Sequence, residues 1–353
     1  MTDDPTMSAS AASGQPVQAI KHGGDLSGLR QVYAGDWIDL STGINPFAWP
    51  IPPLPSDSWT RLPGQDDMDA LLHAARQAYG VPSGETAGIV ATPGTQAAIQ
   101  LLPRLFARPD GVPVRIGILG PTYAEHAHVW RSMGHDVVEI DGVPGSLQGL
   151  DVLLAVNPNN PDGRGLGLPL LRRWHAELAA RGGWLILDEA FADVAPEVSL
   201  CADAGKPGLV ILRSFGKFFG LAGLRLGFVL GPAMVTEAIR IAAGPWAVSG
   251  PALQIGAAAL LDTQWQAGMR EDLRNRARRF DRMMRDRDIH VLGGTSLFRL
   301  AKLADAAGFA AILRGQGIHV RVFDYQPQWM RFGLPADEAE FWRRFDLALK
   351  SWR

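Results

Sequence analysis

Four short apolar runs, at residues 116–119, 152–156, 184–187 and 209–212, recur through the middle of the chain with segments of helical periodicity between them. Each run is too short for a helix, apolar on both faces and bounded by turn-forming residues, which is the pattern of a strand buried inside a sheet. The intervening segments 123–133 and 168–181 carry apolar residues at the spacing of one helix face. Strand and helix in alternation imply a mostly parallel sheet with helices on both sides. Such a sheet binds ligands beyond the carboxyl ends of its strands. Functional residues are therefore expected directly after these runs.

The richest such stretch is 214–227, after the last run. Lys217 lies there with Ser214 three residues before it, Arg225 eight residues after it, and glycines and apolar residues including Phe218 and Phe219 between. A lysine among apolar neighbours loses its proton more readily, because desolvation disfavours the ammonium form. The neutral amine can attack an aldehyde and form a Schiff base. Ser214 and Arg225 look like two arms of a phosphate clamp. An aldehyde and a phosphate on one small molecule describe pyridoxal phosphate. The plainer alternative is a glycine-rich turn with a surface lysine.

Gly94, Thr95 and Gln96 follow another apolar stretch, 88–91, and open a helical pattern. A helix start of this kind leaves backbone N–H groups free for an anion, and the helix dipole adds roughly 0.3–1 kcal/mol of preference for negative charge. An ordinary N-cap has the same composition. Asp188, with Glu189 beside it, directly follows the run at 184–187. A carboxylate there can keep a pyridine nitrogen protonated, so that the ring draws electrons from a substrate; a helix-capping aspartate is the alternative.

The lysine segment resembles the lysine motif of the fold-type I pyridoxal-phosphate enzymes, the aminotransferase class I/II group. Residues 157–163, Asn157 to Gly163, resemble the Asn-Pro-Asn-Asn-Pro-Thr-Gly motif of that group, with Asp162 in place of the threonine. The resemblance extends from about residue 20 to the end of the chain. It implies an α/β fold of that type, with a large domain of mostly parallel sheet flanked by helices and a smaller α/β domain. On this reading residues 51–243 form the large domain, 244–353 the C-terminal small domain, 18–50 the N-terminal part of the small domain, and 1–17 a disordered tail. Residues 244–251, rich in glycine and proline, read as the hinge. After them, 253–261 and 271–287 read as helices, and 296–300 and 318–322 as strands of a smaller sheet.

The resemblance also implies pyridoxal 5'-phosphate as cofactor, and roles for particular residues. Lys217, Asp188 and Tyr123 would be catalytic, with Asp188 preferred over Glu189 at the pyridine nitrogen and Tyr123 stacked on the ring. Gly94, Thr95, Gln96, Ser214 and Arg225 would hold the cofactor phosphate, and Asn160 its phenolic oxygen. Arg331 would grip the substrate carboxylate, Arg321 would be a second substrate arginine, and His22 and Asn45 would assist. Within the group, the segments 22–25, 39–46 and 245–250 are similar to threonine-phosphate decarboxylases of cobalamin biosynthesis, with histidinol-phosphate aminotransferases nearby. Phe191 and Leu62 stand where the aminotransferases usually carry tyrosine; a phenylalanine cannot hydrogen-bond the phenolic oxygen. The implied activity is decarboxylation of L-threonine O-3-phosphate to aminopropanol O-2-phosphate by a homodimer. An amino-acid aminotransferase, and a non-catalytic scaffold of the same fold, stay open.

Composition sets outer limits. The chain has 353 residues, which suits two domains or one large α/β unit. A formal net charge of −2 offers no general attraction to nucleic acid or to an anionic membrane. The single cysteine, Cys201, excludes an internal disulfide framework and a cysteine metal cluster, and points to the cytoplasm. The eight histidines show no metal-ligand spacing, and His73, His126, His128 and His290 receive no role. No apolar run approaches the roughly 20 residues that span a bilayer. Residues 1–17 lack the basic and apolar regions of a signal peptide.

Overall fold

The structure is a computed structural model that describes Ile20 and residues 22–352; the expected tail, 1–17, lies outside the described residues. The strands are β1 (Ile38–Asp39), β2 (Ala87–Thr92), β3 (Arg115–Gly120), β4 (Asp136–Asp141), β5 (Val152–Val156), β6 (Trp184–Asp188), β7 (Leu209–Ser214), β8 (Gly227–Pro232), β9 (His290–Thr295), β10 (Phe298–Lys302), β11 (Ile318–His319), β12 (Arg321–Phe323) and β13 (Gln326–Gly333). A seven-stranded sheet has the order β2-β8-β7-β6-β5-β3-β4. The strands β4, β3, β5, β6 and β7 pair in parallel, and β8 runs antiparallel between β7 and β2.

The four apolar runs all become central strands of this sheet, and their side chains divide between its two faces with the two-residue period of a pleat. Val152, Leu154 and Val156 of β5 join Ile186, Val210 and Leu212 in one buried cluster. Leu153 and Ala155 join Leu185, Leu187, Leu209 and Ile211 in the other. Burial on both faces is why these runs carry no polar alternation. Each buried leucine or isoleucine contributes roughly 1.5–3 kcal/mol relative to exposure. The helices Tyr123 and its neighbours announce are Ala124–Ser132 and Leu168–Ala179, both packed against this sheet with their buried faces.

The smaller part combines an antiparallel sheet, β12-β13-β10-β9, with a parallel pair, β1 and β11. The pair joins Ile38 to Ile318 and Asp39 to His319, so the strand at 38–39 pairs with the C-terminal part of the chain. The stretch 318–322, read as one strand, divides at Val320: β11 pairs with β1, whereas β12 pairs with β13. The charged helix starts earlier than expected. It spans Thr263–Arg285, because the Asp262 side chain accepts the N–H of Trp265 and caps it. The helix before it, Gly250–Leu261, is capped in the same way by Ser249. The strand expected at 296–300 is β10, shifted to Phe298–Lys302 behind a turn at Thr295. Strand β4 escaped the sequence reading because, as the edge of the sheet, it alternates charges with half-buried residues.

Gly163, in the loop after β5, packs its backbone against that of Gly294 in β9. Its φ is +73°, and a Cβ placed on it would lie 2.2 Å from the carbonyl carbon of Gly294 in β9. Backbone on backbone cannot yield. Gly163→Ala is therefore expected to lower stability by more than the ~1–3 kcal/mol of ordinary overpacking. A chemical denaturation midpoint indistinguishable from that of the unaltered chain would contradict the close approach.

Candidate active site

A cleft of about 490 Å³ opens beyond the carboxyl ends of β5, β6 and β7, between the large sheet and β13. Its lining includes His22, Gly94, Thr95, Gln96, Tyr123, Asn160, Asp188, Ser214, Lys217, Arg225 and Arg331. Eleven residues singled out in the sequence thus converge on one hollow, although they are spread over 310 positions from His22 to Arg331.

Lys217 sits on the one-turn helix Phe215–Phe218 that follows β7. Burial lowers its pKa from the usual lysine value to about 8, and the Arg331 guanidinium acts in the same direction against the opposing charge of Asp188. About a tenth of the amine is then neutral at pH 7, against fewer than about one in a thousand for a solvated lysine. Its Nζ lies 5.9 Å from the centre of the Phe191 ring, which packs edge-on against Phe298. Asn45 is outside the lining of the cleft. Its side-chain amide donates to Phe218 O (2.8 Å), its Oδ1 accepts from Phe47 N, and its backbone N–H donates to Lys217 O (2.9 Å), so Asn45 braces the lysine turn.

Asp188 ends β6 and is buried. Ala190 N donates to its Oδ1 (3.0 Å), and His126 Nε2 donates to its Oδ2 (2.8 Å). The sequence reading assigned His126 no role. The structure places it, fully buried, as the partner that orients this carboxylate. The available signal was its spacing: His126 is three residues after Tyr123, one turn along the same helix. Glu189, the alternative to Asp188, points the other way and pairs with buried Arg213 (2.9 Å). Alternation along β6 thus separates the two acids.

Residues Gly94 to Gln96 are at a helix start whose backbone N–H groups could receive an anion. Gly94 precedes the helix Thr95–Phe106 with φ +77°, and no side chain caps that helix. A Cβ on Gly94 would stand 2.7 Å from Arg225 Nη2, so only glycine lets the guanidinium close over the helix end. Arg225 itself donates only to a backbone oxygen, Ala222 O (3.2 Å). The side chains of Thr95 and Gln96 are turned elsewhere: Thr95 Oγ1 donates to Arg213 O, and Gln96 holds Tyr123 and Glu125. Tyr123 donates its hydroxyl to Gln96 Oε1 (3.2 Å), and burial, with Glu125 and Asp188 nearby, pushes its pKa up to about 12, so it stays a neutral phenol. Glu125, also absent from the sequence reading, accepts from His22 Nε2 (2.9 Å) and Gln96 Nε2 (3.0 Å).

Arg331 enters from β13. Its Nη1 donates to Asn160 Oδ1, its Nη2 donates to Ser41 O (2.8 Å), and its buried Nε has no partner. Burial and the charge of Arg321 lower its pKa to about 10, still far above neutrality. Arg321 of β12 is the register partner of Arg331 across the antiparallel pair, so both guanidiniums lie on one face of the sheet. Arg321 is outside the lining of the cleft and stands 5.6 Å from the Phe323 ring. Leu62 is exposed, at 65% of its surface.

Pyridoxal phosphate, the cofactor implied by the sequence, fits this donor set. An uncapped helix N-terminus, Ser214 and Arg225 suit a phosphate, a partly neutral lysine suits an aldehyde, and a buried carboxylate suits a pyridinium. Among the described residues no cluster of His, Cys, Asp and Glu is arranged to hold a metal ion, and no helix is long and apolar enough to cross a membrane.

The chain belongs to the aminotransferase class I and II family, whose model matches residues 36–341. Within that family it is 45% identical over 335 residues to a threonine-phosphate decarboxylase of Pseudomonas aeruginosa, covering 94% of this chain and 97% of that one. A threonine-phosphate decarboxylase of a Sinorhizobium species is 40% identical, covering 91% and 95%. Among solved structures, histidinol-phosphate aminotransferase of Sinorhizobium meliloti in complex with pyridoxal 5'-phosphate superposes with a TM-score of 0.78 at 19% identity, covering 99% of this chain and 100% of that one. This last likeness establishes the fold.

Two measurements check the site. Capture of pyridoxal phosphate by the apoprotein needs the neutral amine. Its rate, followed by cofactor absorbance, is expected to climb up to tenfold per pH unit below about 8 and to level off above it; a flat profile across that range would show that Lys217 is not desolvated. His126→Leu removes one donor from the buried Asp188 carboxylate and is expected to lower kcat/KM by roughly fivefold to a hundredfold. Unchanged kinetics in that variant would leave His126 without a part in the site.

Proposed function

We propose that this chain decarboxylates L-threonine O-3-phosphate with pyridoxal 5'-phosphate, releasing carbon dioxide and leaving aminopropanol O-2-phosphate. The sequence resemblance puts that step in cobalamin biosynthesis. The observation that carries the reading is the buried Arg331 guanidinium. Among the described residues its protein partners are two neutral oxygens, and its Nε has none, so a full charge sits in the cleft with no carboxylate bonded to it. A buried charge of this kind costs free energy until an anion meets it. A substrate carboxylate matches the fork of donors. Arg321, beside Arg331 in register, adds a second positive charge toward the same side, which suits a substrate with an additional phosphate.

Pyridoxal phosphate held in the cleft would supply an electron sink for the substrate's α-carbon, which leaves the choice of the bond that breaks to how the chain orients the substrate. The protein therefore selects the reaction by orientation. Arg331 would anchor the carboxylate, and Arg321, assisted by His22, would anchor the phosphate, so that the substrate is gripped at both ends in one orientation. Tyr123 would stack on the ring, and Asn160 would hold its phenolic oxygen. Asp188, held by His126, would hold the ring nitrogen. Lys217 Nζ delivers the proton that the α-carbon takes up once carbon dioxide has left. Phe191 closes the wall with a ring where a hydroxyl would offer a further hydrogen bond, which leaves the cleft drier around Nζ.

The homodimer is proposed on the same reading. Trp59, Leu62 and Trp246 expose large apolar surfaces on the segments flanking the helix Gly250–Leu261, where Ser58 Oγ donates to Gln254 Oε1 (2.8 Å). Exposed apolar groups of this size suit a subunit interface.

Incubation of the holoenzyme with threonine phosphate is expected to release carbon dioxide in step with aminopropanol phosphate, with no consumption of 2-oxoglutarate. Turnover of histidinol phosphate with keto-acid consumption, and none of threonine phosphate, would establish an aminotransferase instead. Full function in a cobalamin pathway after Lys217→Ala would point to the scaffold.

A further inference from the structure

Glu125 has no part in the chemistry described above, yet it is buried in the wall behind Tyr123. It lies in the first turn of the helix Ala124–Ser132, where the helix dipole favours a carboxylate. His22 Nε2 donates to its Oε1 (2.9 Å) and Gln96 Nε2 to its Oε2 (3.0 Å). A carboxylate only accepts, so this bond places a proton on His22 Nε2. Nδ1 is then the ring nitrogen left for a ligand, and His22 lines the cleft.

A neutral ring with its proton on Nε2 offers Nδ1 as a lone pair, which a phosphate oxygen does not accept. A ring that donates through both nitrogens is an imidazolium, and Glu125 supplies the counter-charge at its far side. The arrangement follows the logic of a carboxylate that orients a histidine for a reaction at its other nitrogen. It is braced from the opposite side as well. Gly24 N donates to Ser41 Oγ (2.8 Å), and Ser41 O accepts from Arg331 Nη2. The segment from His22 to Gly24 thus runs from Glu125, on the helix Ala124–Ser132, to the loop that holds Arg331.

We propose that Glu125 is a positioning residue for substrate selection: it orients His22 and balances its charge, so that the ring donates through Nδ1 to the phosphate of the substrate. The proposal rests on the threonine-phosphate reading. Glu125→Gln in the holoenzyme keeps the shape and removes the charge. KM for threonine phosphate is expected to rise about tenfold while kcat changes by less than about twofold, the loss of one charge-assisted hydrogen bond. The cofactor spectrum and the dissociation constant of pyridoxal phosphate are expected to stay as in the unaltered enzyme, which also reports correct folding. In a His22→Ala background the same change is expected to add nothing. Calorimetric binding of aminopropanol phosphate repeats the comparison without turnover. An unchanged KM, a loss confined to kcat or to cofactor retention, or an equal loss in the His22→Ala background overturns the role of Glu125. Failure of the unaltered holoenzyme to act on threonine phosphate overturns the underlying reading instead.

Discussion

The guanidinium of Arg331 holds the site together. From β13 it reaches Asn160, in the loop after β5, and Ser41, after β1. Three parts of the chain, 290 positions apart at the extremes, meet on one planar fork of donors. The closing of the cleft therefore depends on a charge taken out of water and bonded to neutral oxygens. Such an arrangement is poor in stability terms, since a desolvated cation without a carboxylate partner carries an uncompensated cost. It is well suited to a protein that waits for an anionic ligand. Gly163 and Gly294, backbone against backbone, set how near the loop after β5 can come to β9.

Desolvation also links the other groups of the site. It lowers the pKa of Lys217 and of Arg331 and raises that of Tyr123, three shifts from one cause. The phenol remains a hydrogen-bond donor, the lysine gains a usable neutral fraction, and the arginine stays charged because its ordinary pKa is so high. The polar groups that must keep their geometry are tied to the scaffold: Asp188 to His126, Tyr123 to Gln96, and the lysine turn to Asn45. Reactive side chains on loops after rigid strands, with their positions set by neighbours, are what an orientation-controlled reaction requires.

Much of this was legible along the chain. The central strands appeared as runs apolar on both faces, since burial between two helical layers removes polar alternation. Lys217, Asp188, Asn160 and the cradle at Gly94 were legible because each directly follows a strand, and a parallel sheet puts strand ends together. The edge strand β4 was not, because its polar pattern matches a loop. The bracing part of Asn45 was not legible, because only the packing of the lysine turn shows its amide bonded to Phe218 O and Phe47 N. His126 and Glu125 were missed because isolated histidines and glutamates on helices are usually surface residues, and nothing local reveals what the opposite wall brings to them.

The amino-acid sequence by itself determined the fold class and the order of the central strands, and it singled out Lys217, Asp188 and residues 94–96 as candidates for the amine, the acid and the anion cradle, because these follow from periodicity and from residues next to strand ends. Only the tertiary structure decided which of two adjacent acids faces the cleft, which histidine holds it, that Arg331 bridges three segments with no carboxylate bonded to it among the described residues, and that Asn45 is a brace. Those outcomes depend on contacts between segments far apart in the chain, where burial and hydrogen-bond geometry, and not local pattern, set what each side chain can do.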